Sequence, residues 1–380
     1  MTIIINGTTG ISGVDGSASV PALKGNDADT GIFYPTANEV AASAGAAIVW
    51  NASSTFAFKN RIINGDMTID QRNAGASVTP TSGQFSVDRW ACYLTQASKF
   101  TIQRSTTAPE GFTNSLLITS SSAYSVTSSD FFLLNQAIEG FNIADLGWGT
   151  ANAQPVTLSF RVRSSLTGTF GGSLTNSANN RSYPFTYTIS SANTYETKTI
   201  TIAGDTSGTW LTDNGAGIKV WFGLGVGSTN SGTAGAWAGS AFYSATGATS
   251  VVGTNGATFY ITGVQLEKGS TATSFDYLPY TTELLLCQRY YYQSSGGSIA
   301  MVGQTYSQNS VDGLYMPYPF PAVMRTAPTS TILGGTNGGS PANIQMYESY
   351  PTNVVINLRS TGGTTSVFWV GATLRSTAEL

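Results

Sequence analysis

The sequence predicts an all-β protein in four parts. These are an extended N-terminal segment (1–59), a central antiparallel jelly-roll sandwich (60–280), a short connector helix (281–293) and a small C-terminal β domain (294–380). Three observations carry that expectation. From Asn60 to Tyr280 one apolar–polar alternation follows another, with no helical period of useful length between them. Forty-three glycines and 11% aromatics suit many short strands joined by tight turns. At 380 residues, the chain is too long for one small core and suits two or three domains.

The N-terminal segment is rich in Gly, Ala, Ser and Asn, with short strand-like pieces such as "TIIIN" and "AAIVWN". A two-stranded unit is marginal in water unless something covers it. The segment is therefore either a flexible leader or a piece that folds by winding with copies of itself or docking on a partner. The cluster Ile32, Phe33, Tyr34, Ile48, Val49 and Trp50 favours the second, because a solvated linker would not carry it.

In the central region "PVTLSFRVRSS" is the clearest strand. Val156, Leu158, Phe160 and Val162 alternate with Thr157, Ser159, Arg161 and Arg163, giving one face in and one face wet. "GIKVWFGLGVG" repeats the theme, with Trp221 opposite Ile218, Val220, Phe222, Leu224 and Val226. "SKFTIQRS", "TKTITIAG" and "ATFYITGVQLEKG" add three more strands. In the last, the apolar phase slips by one residue at Gly263, which predicts a bulge. Two sheets packed face to face are the natural way to bury such strands.

"TTELLLCQRYYYQ" reads as a connector helix of about three turns. Thr281 and Thr282 are possible N-caps, Glu283 sits in the first turn, and Leu284, Cys287 and Tyr291 share a face. Tyr290, Tyr291 and Tyr292 form a surface too large to leave wet. It is expected to pack on the last sandwich strand or on the same helix of neighbouring chains. Beyond it, Pro317, Pro319, Pro321 and Pro328 punctuate a return to strand composition, and "NVVINLR" and "TSVFWVGATL" read as strands.

Composition narrows the chemistry. Only 10% of residues are charged, against about 25% in average proteins, so Ser, Thr, Asn, Gly and Gln must cover the surface. A net charge of -3 gives no electrostatic reason to bind nucleic acid or an anionic membrane. There is no histidine, the commonest general base and metal ligand. Cys92 and Cys287 are too far apart for a zinc pattern and read as buried thiols. The start lacks the features of a signal peptide, and no apolar run reaches the ~20 residues of a membrane span. No cofactor or metal is expected. The carboxylates are scattered: Asp66 and Asp70 lie in a turn followed by a strand, and Asp205 and Asp213 read as turn caps. "GLGVGSTNSG" lacks the Lys and the following helix of a phosphate loop.

Sugar rings stack on aromatic faces, which makes loop and wet-face aromatics the candidates. Trp148 in "DLGWGT", Trp237 in "SGTAGAWAGSAFYS", Trp221 and Tyr243 stand in such places. Taken singly, each is expected to pack into the sandwich rather than bind, since Trp is mostly buried on average. In the C-terminal domain Tyr306, Tyr315, Tyr318, Tyr347 and Tyr350 lie among Gln, Asn and Ser. That mix suits an adaptable recognition surface, and also strand edges and contacts between chains.

Several stretches carry a resemblance. "KNRIINGDMTIDQRNAG", "SVDRW", "SFRVRSS", the run from Thr188 to Gln293, "ALKGNDADTGIFYPTANEVAAS" and "FPAVMRTAPT" are similar to tail fibre and receptor-binding proteins of tailed bacteriophages and prophages. The resemblance implies a jelly roll like that of carbohydrate-binding modules and a homotrimer. It also implies attachment through residues 1–59 to other virion tail or baseplate proteins, and a C-terminal part facing a host surface glycan or other receptor. The chain is then a virion component made in the host cytoplasm, with recognition expected in residues 294–380. A tailspike-type depolymerase and a purely structural baseplate, collar or capsid decoration protein are the alternatives. "NGDM" and "FYITGVQLEKG" resemble the first and last strands of sugar-binding jelly rolls, where acidic residues often hold calcium. Here Thr68, Thr262 and Gly263 stand at matching positions, and Asp66 alone is too few for a site of 6–8 oxygens.

Overall fold

The computed structural model describes residues 4–6, 10–12, 15–24, 26–34, 40–51, 59–294, 299–305, 314–339, 342–360 and 365–380. They are nearly all β. At the N-terminus, Leu23–Lys24, Gly31–Phe33, Ala41–Ala44 and Ala47–Asn51 form an antiparallel four-stranded meander. Phe33 and Ala41 are buried while Ile32 and Tyr34 stay exposed. The side chains of Val49 and Trp50 lie outside the described residues.

The sandwich is built from eleven strands: β1 (Gln84–Val87), β2 (Trp90–Leu94), β3 (Phe100–Ser105), β4 (Ser115–Ser120), β5 (Phe131–Glu139), β6 (Val156–Ser164), β7 (Gly168–Thr175), β8 (Ser182–Ile189), β9 (Glu196–Ile202), β10 (Ala216–Val226) and β11 (Thr258–Lys268). One sheet has the order β9-β6-β11-β4-β3, and the other β8-β7-β10-β5-β2-β1. Every pairing within them is antiparallel. The alternation read from the sequence decides the inner faces. Leu158, Phe160 and Val162 of β6 and Val220, Phe222 and Leu224 of β10 meet in one core. The slip at Gly263 is a bulge: Arg161 pairs with Thr262, but Ser159 pairs with Gln265.

The connector differs from the expectation. The helix, α1, covers Tyr280–Gln288, its N-cap is Pro279, and neither Thr281 nor Thr282 caps it. The tyrosines leave the helix, and Tyr291–Gln293 pairs as a strand with Arg375–Thr377. Tyr290 turns inward, donating from its hydroxyl to Glu139 at 2.7 Å. The physical reason is the end of the chain: pairing with it satisfies the backbone of Tyr291–Gln293 while Tyr290 and Tyr291 become buried. Cys92 and Cys287 are buried free thiols, as expected.

The C-terminal domain packs two sheets. Thr365–Thr377 lies between Thr329–Gly339 on one side and Ile299–Thr305 with Tyr291–Gln293 on the other. The second sheet has the order Leu314–Pro319, Asn353–Ser360, Ala342–Ser349. Phe320, Met324, Val354, Ile356, Ala372 and Leu374 form its core.

The two cores meet at a charged seam. The penultimate residue, Glu379, reaches back to Arg72 and Arg89, and all three side chains are at most 14% exposed. The guanidinium of Arg89 lies 3.6 Å from the Tyr290 ring centre, and that of Arg72 lies 3.6 Å from Tyr291. Arg289 binds Glu139 with two nitrogens. Arg325 donates to the carbonyls of Ala378 and Glu379, each at 2.8 Å, and to Asn214 O at 2.9 Å. Breaking a buried ion pair on one side costs about 3–5 kcal/mol, because the partner charge stays buried. Glu379→Ala is therefore expected to lower Tm by about 6 °C or more. It should also open a protease site between the sandwich and the C-terminal domain. An unchanged melting curve and digestion pattern would show that the seam does not depend on this residue.

Two further carboxylates set a pH dependence. Burial pushes Glu283 up to about 7, while the Asn64 N–H it accepts works the other way. Burial also pushes Asp88 up to about 6, against Arg72 and the two hydrogen bonds from Gln71. Both folded-state values lie above the ordinary carboxylate range, so their protonated forms favour the fold. That contribution is complete at acid pH and is lost as pH rises through 6 and 7. The expected result is a Tm that declines between about pH 5 and 8, with the decline reduced in Glu283→Gln. Parallel curves for the variant and the wild type would contradict it.

Candidate functional site

The outer face of the five-stranded sheet is polar where β6 and β9 run together. Ser159 pairs with Thr199 and Arg161 with Thr197, all directed away from the core. Two loops rise over this floor. The turn before β4 carries Glu110 and Phe112, and the loop leaving β11 carries Phe275 and Tyr277. Their three rings converge: Phe112 lies 5.2 Å from Phe275 and 5.5 Å from Tyr277, and Phe275 lies 4.9 Å from Tyr277. Ala18 and residues 46–48 of the N-terminal segment complete the lining, and the open cleft measures about 540 Å³.

Local sequence explains why the loops stay there. After the bulge, Gln265 and Glu267 face outward from β11 and yet are buried. Gln265 accepts the Asp276 N–H at 2.9 Å, and Glu267 accepts the Thr273 N–H at 2.8 Å and its hydroxyl at 2.7 Å. Lys59 adds a bond to Ser274 O at 2.6 Å. Gly263 has a φ of +59°, and a Cβ there would stand 2.7 Å from the Phe112 ring. A side chain at 263 would therefore push Phe112 off the sheet. Tyr277 donates to Gly111 O at 3.0 Å and is 56% exposed, so its ring face is available. Burial pushes its phenol up, Arg161 opposing and Asp66 adding to the shift, so the hydroxyl remains a donor at neutral pH.

The residues singled out in the sequence lie elsewhere. Trp148 is buried against Trp210 at 4.7 Å and Trp237 at 5.3 Å, with its indole N–H on Gln154 O. Trp237 is half-buried between this pair and Tyr183, and it donates to Ala203 O at 2.8 Å. Trp221 does face away from the core, but it is buried under Tyr93 and Tyr243 and bonded to Thr175 Oγ1 at 2.8 Å. Tyr318 packs inward, its hydroxyl 3.0 Å from that of Tyr292. Tyr315 stays exposed, with its ring 4.7 Å from exposed Tyr347. Tyr306 lies outside the described residues. The structure thus groups Trp148 with Trp237, and Trp221 with Tyr243, but brings none of them to the cleft.

Sequence reasoning passed over Phe112, Phe275, Tyr277 and Arg161. Phe275 and Tyr277 stood in the "SFDYLPY" stretch between strand and helix, and Arg161 stood on the wet face of the clearest strand. "PEGF" gave no signal for Phe112. The turn-cap reading holds for Asp205, which accepts the Ser207 N–H at 3.1 Å while binding Arg181 with both oxygens at 2.7 Å, and for Asp213, which accepts the Gly215 N–H. The strand expected after Asp66 does not form: residues 67–70 are irregular, and Asp70 accepts the N–H groups of Asn73 and Gly75 in the turn that follows. Among the described residues no three acidic, cysteine or histidine side chains converge on a metal position. Asp66 bonds to the Thr68 hydroxyl at 2.6 Å. No described helix is long and apolar enough to cross a membrane.

No family model and no curated protein matches the chain. Among solved structures it is similar to the enzymatically active domain of tailspike protein 4 of bacteriophage CBA120. That match has 13% identity and a TM-score of 0.31, and covers 56% of this chain but only 22% of the tailspike chain. It is also similar to the family 11 carbohydrate-binding module of Clostridium thermocellum, solved in complex with a β-1,3-1,4-mixed-linked tetrasaccharide. There the identity is 9% and the TM-score 0.27, over 53% of this chain and 99% of the module. A third similarity is to the CBM22-1 xylan-binding domain of Paenibacillus barcinonensis Xyn10C, with 8% identity and a TM-score of 0.26 over 53% and 99%.

Proposed function

We propose that the chain is a non-enzymatic virion appendage, a tail fibre that attaches the particle to its host by holding a surface glycan in the cleft on the five-stranded sheet. One observation carries the binding part. Three mutually packed aromatic rings stand over a floor of Ser, Thr and Arg, which is the pairing of apolar face and polar edge that a sugar ring needs. The virion part rests on the sequence resemblance, with residues 1–59 as the attachment segment. Glu110 is the one carboxylate among the lining residues. A glycosidase needs two across the scissile bond, so the lining favours binding over cleavage.

A specific observation favours a second contact on the tip. Tyr315 and Tyr347 are both exposed and lie edge to face on the three-stranded sheet. The two surfaces separate by mutation. Stacking on each ring is worth about 0.5–1.5 kcal/mol. Phe112→Ala with Phe275→Ala should therefore weaken adsorption to host cells by on the order of ten-fold or more. Tyr315→Ala with Tyr347→Ala should have a smaller effect, and Tm checks that both variants fold. If only the tyrosine pair abolishes adsorption, recognition belongs to the tip.

Weak single sites on a fibre gain from repetition, by on the order of 10²-fold or more when two or three engage together. A homotrimer is the expected state. Mass photometry of the purified chain should give about three times its 39.7 kDa. A monomer at micromolar concentration would remove the avidity argument.

A further inference from the structure

We infer that the glycan is acidic, and that Arg163 and Arg161 of β6 receive its carboxylate. The inference rests on the cleft reading above and names the class of sugar the cleft takes. Arg161 lines the cleft, and Arg163 is the next outward residue along the same strand. The Arg163 guanidinium lies over two rings, 4.9 Å from the Tyr260 ring centre and 5.9 Å from that of Tyr195. Tyr195 is itself fixed by a bond to Thr107 O at 2.7 Å. The Nε of Arg163 is buried and has no hydrogen-bond partner. Arg161 makes one bond, from Nη1 to Thr197 Oγ1. Among the described residues neither arginine lies in an ion pair.

The carboxylates around them are engaged elsewhere. Glu196 is taken by Lys198 at 2.6 Å and by the Ser190 and Ser191 N–H groups. Asp276 accepts the Lys59 and Asn60 N–H groups, and Asp66 accepts Thr68. Glu110 remains in the lining, on the loop of Phe112. It disfavours an anion beside its own loop, while Arg161, whose stem borders Gly263 next to the Phe112 ring, and Arg163 two residues on favour one along β6.

The buried Nε lies beyond a ligand's reach, which leaves the Nη end of Arg163, beside the Tyr260 ring and without a hydrogen bond or ion pair among the described residues, as the planar fork already in place. A carboxylate matches that fork with two parallel bonds. Charge-assisted bonds of this kind favour an acidic sugar over its neutral analogue by about ten-fold.

The test titrates the full-length protein with an oligogalacturonide, its methyl ester, a neutral galacto-oligosaccharide and a phosphorylated oligosaccharide, all of one length. The acid should bind about ten-fold tighter than the ester or the neutral sugar, and the gap should shrink in high salt. Arg163→Ala should abolish the preference and Arg163→Lys, which keeps the charge but not the fork, should reduce it. Equal binding of acid and ester, with both weakened by Phe112→Ala, overturns the acidic assignment and leaves the cleft reading standing. Stronger binding of the phosphorylated sugar overturns the carboxylate in particular. If none of the sugars binds, the cleft reading falls as well.

Discussion

The two β domains depend on one buried carboxylate near the end of the chain. Glu379 lies between Arg72 and Arg89, and these arginines lie on the rings of Tyr291 and Tyr290. Arg89 occupies the turn between β1 and β2 with a φ of +70°, a region that favours glycine. A glycine would suit the backbone better but would leave Glu379 one partner short and Tyr290 uncovered. The left-handed turn is thus a local cost, of about 1–2 kcal/mol, offset by a contact made with a residue 290 positions away. Several parts of the seam follow from it. Once Glu379 is anchored, Arg375–Thr377 is at hand to pair with Tyr291–Gln293, and the Ala378 N–H reaches Tyr290 O at 2.7 Å.

The cleft obeys a different constraint. Its floor belongs to a sheet whose inner face is fixed by the apolar alternation, so the outer face is free to vary. Its walls are loops, and loops over a polar floor stay in place only if their backbone groups find partners. The bulge at Gly263 supplies them. By shifting the phase of β11 it turns Gln265 and Glu267 outward, and these two side chains bind the backbone of Thr273 and Asp276. The same glycine makes room for the Phe112 ring. One residue without a side chain thus sets both the loop that carries Phe275 and Tyr277 and the ring they meet.

The fold was largely legible because its signals are local. Alternation in Val156–Ser164 and Ala216–Val226 and the phase slip at Gly263 depend only on neighbours in sequence, and the structure reproduces them. The helix end was not legible. "LLLCQRYYYQ" continues a helical composition, and what stops it is a strand partner at 375–377. The site was legible only in part. Trp148 and Trp221 looked like loop and wet-face aromatics, and their burial is decided by Trp210, Tyr93 and Tyr243 arriving from distant strands and loops. Phe112 and Phe275 meet across more than 160 residues, a convergence that no window of sequence contains. The outward position of Arg161 and Arg163 could be read from the alternation. That neither forms an ion pair among the described residues could not.

Cleft and seam are joined by a single stretch of chain. Residues 270–277 form the aromatic wall, Pro279 starts α1, and Arg289 and Tyr290 enter the seam through Glu139. Residues 59–64 run beside it and are bonded to it at both ends: Asp276 accepts the Lys59 N–H at 3.1 Å, and Glu283 accepts that of Asn64. A pull on the tip therefore reaches the aromatic wall through a helix braced at its start, and not through a free linker. Under the proposed attachment role, force borne by the C-terminal domain would pass along the segment that shapes the cleft, so tension and binding would act on the same few hydrogen bonds.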